Sequence, residues 1–186
     1  MSDNYSYCKL CNKYSRICDS HIVPSFIHKW MKKTSYNGNI RTSDFPNKIN
    51  QGGYKEYMLC NNCENLFSKW ENYFSENHFN LFTTKETISS YDIRLSKYVI
   101  SIAWRLLISF KGKNDFKKYD LQTIKNLDKS EKIWREYLLS EENNFDYNIN
   151  HHIYLFSENS YNHPFFNRYL RTVETTFISN KVDGSY

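Results

Sequence analysis

Two Cys-x-x-Cys pairs constrain this chain more than any other feature. Cys8-Lys-Leu-Cys11 lies near the start, and Cys60-Asn-Asn-Cys63 follows after residues 12–59. A tight Cys-x-x-Cys turn points two sulfurs at one metal. Two such turns supply the four thiolates that a tetrahedral structural zinc takes. If both pairs serve one ion, the stretch between them becomes a closed loop. A redox Cys-x-x-Cys or buried free thiols are the rival readings of the same spacing. The fifth cysteine, Cys18, reads as a plain buried or half-buried thiol. The N-terminus is polar and shows no export signal, so reduced thiols, metal ligation rather than disulfides, and a cytoplasmic location are the expectation.

At 186 residues the chain can build a real core. Much of its apolar mass is aromatic, in 16 Tyr, 13 Phe and 4 Trp, while only 5 Gly and 3 Pro argue against long disordered linkers. The formal net charge of +5 permits a polyanionic partner without demanding one. No apolar run reaches the roughly 18 residues a membrane span needs. The most apolar segment, Tyr98–Phe110, is interrupted by Ser101, Arg105 and Ser109.

The periodicities predict an α+β, mainly helical protein. Ile17–Val23 reads as a short strand and Tyr54–Leu59 as a second strand that delivers the second cysteine pair. Pro24–Lys33 reads as a helix with Phe26, Ile27, Trp30 and Met31 on one face. A helix follows from Glu64, with Leu66, Phe67, Trp70, Tyr73 and Phe74 as its apolar stripe and Glu64, Glu71 and His78 on a second face. Residues 34–53 read as a loop with a short strand around Ile40.

From Asp92 to about Phe110 a longer helix is expected. Its main buried line is Leu95, Val99, Ile102, Leu106 and Phe110, widened by Ile100, Trp104 and Ile108, and its polar stripe is Arg94, Lys97, Ser101, Arg105 and Ser109, with Gly112 just beyond its end. Asp128-Lys-Ser-Glu131 has capping-box spacing and predicts a helix start. Residues 149–156 and 169–178 read as a C-terminal strand pair. The division that follows is a zinc-and-histidine unit over 1–82 and a helical lobe with a C-terminal β-hairpin over 83–186, packed as one body.

Between the cysteine pairs stands Ser20-His21-Ile22-Val23-Pro24, and Glu64 directly follows the last cysteine. A lone histidine before an apolar pair is usually structural. Taken together, Cys-x-x-Cys, Ser-His-Ile-Val-Pro and Leu-Cys-x-x-Cys-Glu resemble the zinc-stabilised HNH endonucleases with the ββα-metal fold, over about residues 5–80. The resemblance implies that Cys8, Cys11, Cys60 and Cys63 bind a structural Zn²⁺ and that His21 is the general base. It implies that Glu64 is the helix-side ligand of a catalytic Mg²⁺ or Mn²⁺, helped by Ser20, Asp19 or Glu71. Phosphodiester hydrolysis needs a base that titrates near neutrality and a cation to offset charge on the phosphoryl oxygens, which histidine and a carboxylate-held metal supply. Ser20 stands where many members carry Asp, and Glu64 where Asn or His is usual.

The implied function is a nuclease acting on DNA or RNA, of the kind found in mobile elements and antiphage defence. The alternative is a catalytically inactive zinc module that binds nucleic acid or a protein partner, with the C-terminal lobe carrying the interaction. A toxin-like effector that needs a partner to become active is the third reading. Lys29, Lys32, Lys33, Arg41 and Lys55 make a candidate phosphate-tracking strip. His151, His152 and His163 are not read as a metal site, because adjacent strand residues point to opposite faces.

Overall fold

The computed structural model describes residues 4–41, 47, 49, 52–80 and 91–141. Contacts divide the chain into Met1–Asp146 and Tyr147–Tyr186, and all described residues lie in the first unit. The predicted strand pair at 149–156 and 169–178, with His151, His152 and His163, lies outside the described residues. So do most of the 83–91 connection and part of the 34–53 loop.

The described part is mainly helical, with a small three-stranded antiparallel sheet in the order β1-β2-β3. Strand β1 spans Tyr5–Tyr7, β2 Tyr14–His21 and β3 Lys55–Cys60. The first pair of strands is the hairpin that encloses Cys8-x-x-Cys11. Its turn closes through Cys8 N–H to the Lys13 carbonyl and Asn12 N–H to the Cys8 carbonyl. Asn12 takes the left-handed conformation at φ 57°, which asparagine tolerates better than most residues. Strand β1 was invisible as a pattern because its three residues are all exposed.

Strand β3 slips register against β2 between Cys18 and Asp19: Cys18 pairs with Leu59, and Asp19 with Tyr57. Met58 is the extra residue, and it, Leu59 and Cys60 are all buried. The Met58 carbonyl accepts from Lys9 N–H and so ties the first cysteine turn to β3.

Helix α1 (Ser25–Thr34) packs Phe26 and Trp30 on Phe79, as its predicted face implies. Helix α2 (Asn61–Phe74) starts at the second cysteine pair, three residues before the expected Glu64, and runs on into a π-helical turn over Ser75–Phe79. Helix α3 (Ile93–Lys111) begins with the Asp92 carboxylate accepting from Leu95 N–H at 2.9 Å, and Gly112 follows its last residue.

On α3 the expectation holds in part: Leu95, Ile100 and Trp104 are buried and Arg94 is exposed, but much of the remaining pattern is turned. Val99, Ile102, Leu106 and Phe110 are only half-buried, whereas Lys97, Ser101, Arg105 and Ser109 are buried. Each of those polar side chains finds a partner inside, which offsets part of the cost of burial. Ser101 donates to the Tyr98 carbonyl, Ser109 to Glu56, and Lys97 to the Tyr137 and Ser140 carbonyls.

Helix α4 (Leu121–Leu139) starts seven residues before the expected Asp128. The true cap is Asp120, whose carboxylate accepts from Thr123 N–H and Thr123 Oγ1. Asp128 sits mid-helix and instead pairs with Lys111 at 2.6 Å. Glu131 accepts from the Trp104 indole at 3.1 Å, which joins α4 to α3. Trp104 in turn meets Phe67 of α2 edge-on, in the core beneath the sheet. Among the described residues, no helix is long and apolar enough to cross a membrane.

Candidate metal centre and active site

The hairpin turn and the β3–α2 junction bring the two sulfur pairs together. The ligand sulfurs of Cys8, Cys11, Cys60 and Cys63 all lie within 4.8 Å of one another. Cys11 Sγ and Cys60 Sγ are 3.7 Å apart. A Zn–S bond of about 2.3 Å in a tetrahedron sets neighbouring sulfurs about 3.8 Å apart, so the spacing fits that ion. The backbone N–H of Cys60 donates to Cys8 Sγ at 3.3 Å, an interaction that steadies a thiolate. Three of the cysteines are buried and Cys11 is half-buried. Neighbouring Cys63 holds the Cys8 thiol down to about 4, and Cys8 in turn pushes the Cys63 thiol up. The cluster could hold a metal such as zinc.

From this anchor β2 carries Ser20 and His21 to the flank of α2. Ser20 is fully buried, and its hydroxyl donates to Glu64 Oε2 at 2.8 Å. Two of the residues singled out as ligands therefore meet: one from the strand, one from the first turn of the helix. Asp19 does not join them. Its half-exposed carboxylate lies 3.6 Å from Lys55 Nζ across the strand pair. Neighbouring strand residues point to opposite faces, so Ser20 turns to α2 while Asp19 cannot.

His21 ends β2, opposite Lys55, and is half-buried. Its backbone carbonyl accepts from Arg105 Nη1 at 2.8 Å. Arg105 is buried to 1% exposure and pairs with Glu71 Oε1 at 2.7 Å. Burial pushes the Glu71 carboxyl above the usual range, Arg105 opposes that, and the charges of Glu64 and His21 also bear on it. No hydrogen bond or ion pair joins the His21 ring to Glu64 among the described residues.

Two features escaped the sequence. His28 on α1 sets its ring 6.3 Å from that of His21, centroid to centroid. Both of its ring nitrogens are buried without a hydrogen-bond partner among the described residues. Burial, then the neighbouring His21 and Lys32, lower its affinity for a proton. Gly53 lies against it: a Cβ there would fall 2.5 Å from His28 Nε2, and φ is +75°. A histidine inside a helical apolar pattern gives no sign that it faces another histidine across a loop. Arg105 was placed on a polar stripe, and its partners, 84 and 34 positions earlier in the chain, have no local signature.

The basic strip divides. Lys29, Lys32 and Lys33 lie on α1, with Lys29 and Lys33 exposed. Arg41 is exposed, at an isolated bridge to Ile49. Lys55 is exposed and engaged with Asp19.

No protein-family model matches this chain, and no curated protein or solved structure matches it.

Proposed function

We propose that this chain is a metal-dependent nuclease of the HNH kind, built on a zinc-pinned ββα unit. The observation that carries the reading is the Ser20–Glu64 contact of 2.8 Å beside His21, placed by strands and a helix that converge on the four-cysteine cluster. Strand β2 pairs antiparallel with β3, which runs directly into α2; with α1 as an insert between the strands, this follows the ββα order of that family.

Cys8, Cys11, Cys60 and Cys63 hold Zn²⁺ as a structural ion, with all four positions taken by protein. The Glu64 carboxylate and the Ser20 hydroxyl are hard oxygen donors of the type Mg²⁺ or Mn²⁺ prefers. When bound, such a cation neutralises charge on the phosphoryl and leaving oxygens. His21 accepts a proton from the attacking water at its ring. Arg105 fixes the His21 carbonyl, so the base is held by its backbone while its ring stays half-exposed. Lys29 and Lys33, exposed on α1, supply charge for a DNA or RNA backbone.

Plasmid cleavage with added Mg²⁺ or Mn²⁺ tests the reading. The wild type cuts, and His21→Ala and Glu64→Ala do not, while both variants keep one zinc per chain and an unchanged melting transition. Binding without cutting by the wild type supports instead an inactive zinc module, the reading favoured by a serine at position 20. Cutting that survives His21→Ala removes the histidine from the mechanism.

A further inference from the structure

The β1–β2 hairpin exposes three tyrosines on one face. Tyr5, Tyr7 and Tyr14 are 54%, 61% and 64% exposed. They touch only at their edges and tilts: Tyr14 lies 5.4 Å from Tyr7 and 6.1 Å from Tyr5, between ring centroids. Tyr7 pairs with Tyr14 and Tyr5 with Arg16 in the register, so these four side chains share a face. A tyrosine exposed alone needs no explanation, but three clustered beside an arginine do.

The same face leads somewhere. Up to the register slip the alternation places Tyr14, Arg16 and Cys18 on one side of β2, and beyond the slip Ser20 turns to Glu64. Exposure falls along that line, from exposed Tyr14 and Arg16 through half-buried Cys18 to buried Ser20 at Glu64. Burial raises the Cys18 thiol, the charge of Glu64 adds to that, and Arg16 opposes it. From Tyr14 to Ser20 the strand covers roughly 20 Å at its usual rise.

The charge has one sign. Residues 4–18 contain Lys9, Lys13 and Arg16 and no carboxylate, and Lys9 and Lys13 are exposed. Aromatic faces beside cations along a sheet are the chemistry that holds single-stranded nucleic acid: bases stack on rings, and the backbone follows the positive charge. Duplex offers no free base faces to such rings. A phosphate-only reader would not need the tyrosines.

We propose that the tyrosine face of the β1–β2 hairpin is a binding track for single-stranded nucleic acid that leads toward the Ser20–Glu64 pair. The track gives the site proposed above its substrate class and rests on that reading only for its destination. Bases stack on Tyr7, Tyr14 and Tyr5, and the exposed Lys9 and Lys13 of the hairpin turn supply charge for the backbone.

Binding is measured apart from cleavage, in the His21→Ala protein without Mg²⁺, by fluorescence anisotropy with labelled oligo-dT, oligo-U and a mixed-sequence duplex. Single strands bind more tightly than duplex. Tyr7→Ala/Tyr14→Ala weakens single-strand binding by roughly tenfold or more, within the range for lost stacking on two rings. Tyr7→Phe/Tyr14→Phe retains it, because stacking needs the ring and not the hydroxyl. Zinc per chain and the melting transition stay unchanged in both, since the side chains are exposed. The oligo-dT and oligo-U arms distinguish a DNA from an RNA strand. Equal affinity for duplex, full binding by the double alanine variant, equal loss in the phenylalanine variant, or no binding of any oligonucleotide by the folded protein overturns the track. The nuclease reading stands or falls separately, on metal-dependent cutting by the wild type and its loss in His21→Ala.

Discussion

Arg105→Met tests how the helical part of the fold holds the site. Arg105 is 1% exposed, donates to the His21 carbonyl at 2.8 Å, and pairs with Glu71 at 2.7 Å. Methionine keeps much of the volume and removes the charge. It leaves the Glu71 carboxylate, with 18% of its side chain exposed, with no cation against it. Removing one partner of a buried ion pair costs about 3–5 kcal/mol, because the other charge stays in a poor solvent. At about 2–4 °C per kcal/mol for a chain of this size, the melting temperature falls by roughly 10 °C.

The penalty depends on pH, and the sign follows from Glu71. Burial already raises its carboxyl, and Arg105 is the main opposing influence. Without Arg105 the folded-state value rises further above the ordinary carboxylate value of about 4. Such a group contributes stability that is full below its unfolded value and is lost as pH rises through its folded value. Urea melts of Arg105→Met against wild type therefore show a smaller deficit near pH 5 than near pH 8. Adding Glu71→Gln removes the stranded charge and restores more than half of the loss, so the two substitutions are far from additive. A deficit below about 1 kcal/mol, one that ignores pH, or simple additivity refutes the ion pair as a buried support of His21.

Cys60→Ser abolishes bound zinc, read by elemental analysis, and with it cooperative unfolding, because metal binding and folding are coupled in such sites; a strong chelator reproduces the effect on the wild type. Burial lowers the Lys97 ammonium to about 8. An unfolded lysine keeps its proton to about 10.4, so the unfolded chain binds more protons in between, and stability rises with pH across about 8–10. Lys97→Met flattens that rise in urea midpoints measured across the same window.

What the sequence disclosed follows from how local each signal is. Cys8-x-x-Cys11 and Cys60-x-x-Cys63 declare themselves because two ligands per turn is a short-range pattern, and the cluster forms as expected. Helix α1, with Phe26 and Trp30 turned inward, follows from a simple period. Helix α3 exposes the limit of that reasoning. Its period was legible, but which stripe faces inward depends on partners elsewhere: His21 and Glu71 for Arg105, Glu56 for Ser109, and the end of α4 for Lys97.

Asp128-x-x-Glu131 imitates a cap, while the real cap uses Asp120 and Thr123, a pairing that lacks the usual glutamate. Ser20 meeting Glu64 was readable only by resemblance. His28 opposite His21 was not readable, since it depends on the angle at which α1 leaves the end of β2.

The split between the cysteine pairs leaves this scaffold with a place to grow. Residues 12–59 leave and return at points fixed by the same sulfur cluster, and α1 sits within them. The entropy of closing a loop climbs only with the logarithm of its length, about 0.6 kcal/mol for each doubling. Lengthening or replacing the stretch after α1 would thus barely tax the fold, while the sulfurs, Ser20 and Glu64 would keep their places. New contacts with a partner or substrate can be tried there without disturbing the sulfur cluster at its base.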